Sequence, residues 1–90
     1  MAQAVVDPAE IRRFAHNLKR FCADLQVALG GLHAQYVGLG DTWRDQEYDK
    51  FRQEFEQALT NHERLVEVSS EFIPFLLRKA ERIEEYLSQR

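Results

Sequence analysis

The spacing of apolar residues constrains this chain more than any other feature. From Ile11 the apolar positions run Ile11, Phe14, Leu18, Phe21, Leu25, Ala28 and Leu32, in alternating steps of three and four. A half-buried strand would step by two. A step alternating three and four returns every seven residues, which is the seam of helices packed in a left-handed sense. A second run holds the same phase through Tyr48, Phe51, Phe55, Ala58, His62, Leu65, Ser69, Phe72, Leu76, Lys79, Ile83 and Tyr86. Leu59, Val66, Val68, Phe75 and Leu87 widen this second stripe. In 90 residues, two such runs leave room for little else. The expected fold class is all-α: an antiparallel two-helix hairpin in a single domain spanning residues 1–90.

Local signals set the expected boundaries. Asp7, Pro8 and Glu10 form a helix start, with Asp7 as cap and Pro8 at the first helical position. Helix one is expected over about residues 7–37. Gly38, Leu39 and Gly40 supply a stop and freedom for a reversal. The bend is expected at about residues 38–42, with Asp41 or Thr42 capping helix two over about 43–88. Pro74 lies inside that second run, where a proline removes one backbone hydrogen bond and crowds the preceding turn. The apolar phase survives it, so one long kinked helix is expected rather than two.

Size then bears on assembly. A domain this small buries a modest core and is marginal alone. At about 1.5 Å per residue the helices would be roughly 45 and 65 Å long. The excess of helix two, expected at about Phe75 to Tyr86, would stay uncovered by helix one. A hairpin shields each helix on one side, whereas a four-helix bundle shields both. Pairing into such a bundle is therefore expected, as a homodimer or homo-oligomer, with a heterodimer of related small helical proteins as the alternative. Charge fits this: residues 1–40 carry four basic and three acidic side chains, and residues 41–90 carry eight and twelve.

Composition excludes other classes. The net charge is -3, which gives nucleic acid no general attraction. Arg12, Arg13, Lys19 and Arg20 cluster on helix one, but no aromatic platform or glycine-rich loop accompanies them. No stretch approaches the roughly 18 apolar residues of a membrane span. The segment Met1 to Glu10 lacks the basic and apolar regions of a secretory signal peptide. The three histidines, His16, His33 and His62, show no i, i+4 pairing and no Glu-x-x-His. No metal, cofactor or small-molecule substrate is expected, and no catalytic residue. Cys22 is the lone cysteine and reads as a small apolar side chain. His62 interrupts the apolar seam between Ala58 and Leu65. It is either a hydrogen-bonded seam residue or a pH-sensitive register residue at a dimer interface.

The bend carries the chain's one tryptophan, in "TWRDQEYDKF", Thr42 to Phe51. A hairpin of this length with Trp at the bend resembles the WXG-motif family, the early-secreted-antigen-like small helical proteins of type VII secretion. Their Trp-x-Gly stands between two helices, with aromatic residues downstream. Here Trp43, Arg44 and Asp45 occupy those places, followed by Phe51 and Phe55. Asp45 replaces the family glycine. The family's export signal, Tyr-x-x-x-Asp/Glu, is incomplete: Tyr86 is followed by Leu87, Ser88, Gln89 and Arg90. The resemblance implies a non-enzymatic protein–protein interaction module, a secreted effector, co-substrate or adaptor. A cytoplasmic location is expected, with export by a type VII-like route independent of a signal peptide left open. A small helical regulatory subunit of an enzyme complex, or a weak nucleic-acid binder, is the alternative.

Three roles are open for Trp43: packing over the end of helix one to fix the bend, an ordinary core position, or an exposed docking residue. Gly38, Gly40, Trp43 and Asp45 make up the bend motif. The seam residues expected at the core or interface are Phe14, Leu18, Phe21, Leu25, Phe51, Phe55, His62, Leu65, Phe72, Leu76 and Ile83. If Phe72 is buried, Phe72→Ala should cost about 3–5 kcal/mol.

Overall fold

The computed structural model describes residues 6–89, so Met1 to Val5 and Arg90, the last position of the incomplete export signal, lie outside it. Helix α1 spans Pro8–Leu39 and helix α2 spans Gln46–Ser88. They pack against each other as a hairpin 68 Å long and 15 Å thin.

Both helix starts follow from a capping aspartate. Asp7 is extended at φ -92°, and its carboxylate accepts a hydrogen bond from the Ala9 amide at 2.9 Å. Pro8 follows at a position where no amide is needed. At α2 the cap is Asp45, whose Oδ1 accepts from the Tyr48 amide at 2.9 Å. This corrects the expectation of Asp41 or Thr42. Those two residues instead donate backward, their amides bonding Gly38 and Leu39 carbonyls at 3.2 Å. They finish α1 rather than begin α2. The bend accordingly lies at residues 40–45 rather than 38–42, and Gly38 sits inside α1.

Gly40 does not serve as a left-handed stop. Its φ of -64° and ψ of -17° are right-handed helical. A Cβ there would stand 2.6 Å from the Tyr48 hydroxyl, so the tip of that ring would have to shift. α2 continues through Pro74 as one helix. The proline is on the exposed side, where water can take the carbonyl it leaves free.

Two contacts set the register. The Arg12 guanidinium forms a forked pair with the Glu84 carboxylate, its Nε 3.0 Å from Oε2. At the other end the Tyr36 hydroxyl donates to Glu56 at 2.7 Å. In this antiparallel alignment Ala15, Cys22, Leu29 and Tyr36 run beside Leu59, Val66, Ile73 and Ala80, each set repeating every seven residues. Ala15, Cys22, Tyr36, Leu59, Val66 and Ala80 are buried, and so is Ser69. The core is thus made mostly of small side chains, which let the helix axes approach closely.

This alignment overturns the expected overhang. α1 reaches Glu84, and Ala80 is 0% exposed, so the segment from Phe75 to Tyr86 runs beside α1. The extra length of α2 lies at the bend, where residues 40–45 and the first turns of α2 extend past Leu39.

Candidate interaction face

The seam read from the sequence is split by the fold. Leu18, Leu25, Phe55, Leu76 and Ile83 sit half-buried along the edge of the α1–α2 contact. Phe14, Phe21, Phe51, Leu65 and Phe72 are exposed, Phe14 at 57% and Phe72 at 52%. These five, expected as core or interface, are therefore not core of the hairpin. The core lies one residue along on α1 and one along on α2, at the Ala15 and Leu59 heptads. Tyr36 is the last core residue of α1.

The displacement gives the molecule two unlike faces. On one, Leu25, Ala28, Leu29 and Leu32 oppose Phe55, Ala58, Leu59 and His62 across a groove of about 260 Å³. This groove continues toward the bend as a second of about 300 Å³, between Leu32, Gln35, Tyr36, Leu39, Phe51 and Phe55. On the other face Gln26, Gly30, His33 and Glu63 line the groove over Leu29, Leu59 and Val66. Glu56 and Thr60 extend that polar side. A hairpin has no third layer to cover either face, and one of them is apolar over most of its length.

Trp43 builds the end of this arrangement. It is half-buried, with its ring 5.8 Å from Phe51 and stacked on it, and 5.3 Å from Tyr48. Phe51 stacks in turn on Phe55 at 5.2 Å, and Phe55 meets Tyr36 at 4.9 Å. The aromatic chain runs from the bend to the end of α1. Trp43 therefore packs on the first turns of α2, not over the end of α1. It is tied to α1 by its amide, which bonds the Leu39 carbonyl at 3.0 Å. The Asp45 carboxyl is held below the usual carboxylate range, first by the Tyr48 amide and then by the Trp43 indole. Asp45 thus joins Trp43 to the start of α2, a role the sequence reading missed. The signal was available, since an aspartate directly before a helical run is a capping residue. The Tyr36 hydroxyl is pushed well up, mostly by desolvation and then by Glu56.

His62 is exposed on the apolar side, with Nδ1 2.8 Å from the Ala58 carbonyl. His16 and His33 are exposed elsewhere. Among the described residues, no three His, Cys, Asp or Glu side chains are placed to hold a metal. No described helix is long and apolar enough to cross a membrane. Cys22 is buried, as a small apolar side chain would be.

Among solved structures, the secreted protein EsxB of Bacillus anthracis str. Sterne, crystallised as a glycine-to-alanine mutant, superposes with a TM-score of 0.71. The match has 25% identity and covers 93% of this chain and 97% of that one. The chain is a WXG-like helical hairpin protein. No family model and no curated protein matches it. The likeness extends over both helices and the bend, although the WXG-like hairpin carries Asp45 in the glycine position and uses it as a helix cap.

Proposed function

We propose that the WXG-like hairpin is a non-enzymatic protein–protein interaction module. It works as half of a four-helix bundle, as a secreted effector, a co-substrate or an adaptor. One observation carries this reading. The helices meet through small residues, while the larger apolar side chains of the seams, Phe14, Phe21, Leu65 and Phe72, face outward on one side. Apolar side chains repeating in a heptad on an open face are stabilised when a second pair of helices covers them. The seam residues Leu18, Leu25, Phe55, His62, Leu76 and Ile83 border that face and would join the bundle's centre. The partner is a second copy or a related small helical protein. The likeness to a protein described as secreted supports export, and the incomplete signal at Tyr86 points to a partner that supplies the missing acidic residue.

Light scattering over a dilution series tests the reading. A mass of two chains that persists at low micromolar concentration is expected, and Phe21→Ser with Phe72→Ser should reduce it to one. A single chain at every concentration, well folded and without a partner in its native cell, would sink it.

A further inference from the structure

We propose that the polar groove between the helices, on the side away from the open apolar face, docks an amphipathic helix of another protein that brings Arg or Lys to Glu63. The first ground is shape. A hollow of about 390 Å³ and a second of about 350 Å³ share His33, Leu59 and Glu63 and so form one groove. Its floor is apolar, made by Leu29, Leu59 and Val66. On the α1 side Gly30 leaves the wall low, since a Cβ there would meet nothing within 4 Å.

The second ground is charge. In the antiparallel register set by Arg12 and Glu84, steps of seven along each helix bring His33 opposite Glu63. At the free end this flanking position is closed by the forked ion pair. Near the bend it stays open. Residues 25–40 contain no Lys, Arg, Asp or Glu, so this part of α1 has no cation to offer. Among the described residues the ion pairs are Arg12 with Glu84 and Arg52 with Glu56, and Glu63 makes none. Glu56, one heptad before Glu63, already accepts from Tyr36 and pairs with Arg52. None of the residues lining the groove is Lys or Arg.

Floor and rim together specify the occupant. A Lys or Arg side chain lays its methylene stem on apolar surface and holds its charge at the edge. The floor suits the stem and Glu63 suits the head, most of all the guanidinium fork, which takes a carboxylate with two parallel hydrogen bonds. A helix suits the length: Glu56 to Val66 is about 15 Å along the axis, nearly three turns. Cations one heptad apart on such a helix reach Glu63 and Glu56 together, and small apolar side chains between them meet Leu59. Residues 26–67, the bend half of the hairpin, carry eight acidic and four basic side chains. That excess draws a cationic partner and repels a bilayer of anionic lipid or a nucleic acid. The groove lies opposite the apolar face, so docking here does not depend on pairing there.

The probe is a synthetic helical peptide with two Arg one heptad apart and Ala and Leu between them. A control peptide has the same composition with the two Arg on opposite faces. Binding is read by fluorescence anisotropy and located by amide shifts in NMR spectra. The matched peptide should bind and shift the amides of Gly30, His33 and Thr60. Glu63→Gln should weaken it on the order of tenfold. Gly30→Leu should weaken it at least as much by filling the groove, with helix content unchanged by circular dichroism. Glu71→Gln removes the same charge outside the groove, and Phe21→Ser alters the open face; both should bind the peptide as the wild type does. An absence of shifts at the three amides at millimolar peptide overturns the site. Equal losses in Glu63→Gln and Glu71→Gln, or a control peptide that binds as tightly, would show general attraction by charge and overturn it too. A chain found single by light scattering sinks the bundle and leaves this groove standing.

Discussion

Asp45 shows how one side chain can settle a bend. Its carboxylate caps α2 through the Tyr48 amide and sits beside the Trp43 indole. Both hydrogen bonds favour the charged form, so the folded-state pKa lies below the unfolded one. The stabilisation is present above the ordinary aspartate range and is lost as pH falls through the lower folded value. Asp45→Ala should lower the melting temperature at pH 7, and the gap to wild type should narrow as acid protonates Asp45. Thermal melts by circular dichroism at several pH values would measure this. Gly30 and Gly31 give the converse case. Both lie in mid-helix, and a Cβ at either would meet nothing within 4 Å. Gly30→Ala and Gly31→Ala should each stabilise the hairpin by up to about 1 kcal/mol in urea denaturation.

At the scale of the helix, each element carries two adjacent heptads with different duties. On α2, Leu59, Val66, Ile73 and Ala80 face α1, whereas Phe51, Ala58, Leu65 and Phe72 face outward. Burial then ranks substitutions differently from residue size. Leu59→Ala empties a core position and should cost about 2–5 kcal/mol. Phe72→Ala removes a larger side chain that is already half in water, so in the single hairpin it should cost less than about 1 kcal/mol. The earlier figure of about 3–5 kcal/mol assumed burial. Chemical denaturation at a concentration where the chain is single would compare the two. Equal losses would place Phe72 in the hairpin's own core. The heptads were legible in the sequence, but both lie within one wide apolar stripe. Phe outweighs Ala and Cys in any reading by hydrophobicity, so the outward heptad drew attention and the inward one was passed over.

For the whole molecule, the helices are fixed at both ends by contacts distant in sequence. Tyr36 and Glu56 close the bend end, and Arg12 and Glu84 close the free end. The Arg12 guanidinium holds the Glu84 carboxyl below the usual range, and Glu84 raises Arg12 in return. The two signs give one accessible window. Arg12 stays charged at all ordinary pH, so the pair's contribution is present above the glutamate range and lost as pH falls through the folded value of Glu84. Both side chains are partly exposed, so salt should screen the pair. Glu84→Gln should increase hydrogen exchange of the first turns of α1 at low salt, with little effect in 1 M salt. Exchange that is unchanged at low salt would mean the free end is held by packing alone.

The sequence by itself determined that this chain makes two long helices with one bend near Trp43. That information is local: heptad spacing, an aspartate before each helix and residues that finish α1 act within a few positions of each other. Length and heptad phase also carried the likeness to WXG-type hairpins. What only the tertiary structure decided is the rotation of each helix about its axis and the sliding of one along the other. Both depend on contacts between residues up to 72 positions apart, such as Arg12 with Glu84. The helices turned their small residues inward because Ala15, Cys22 and Ala80 allow the closest approach. That rotation left Phe14, Phe21, Phe51 and Phe72 facing outward.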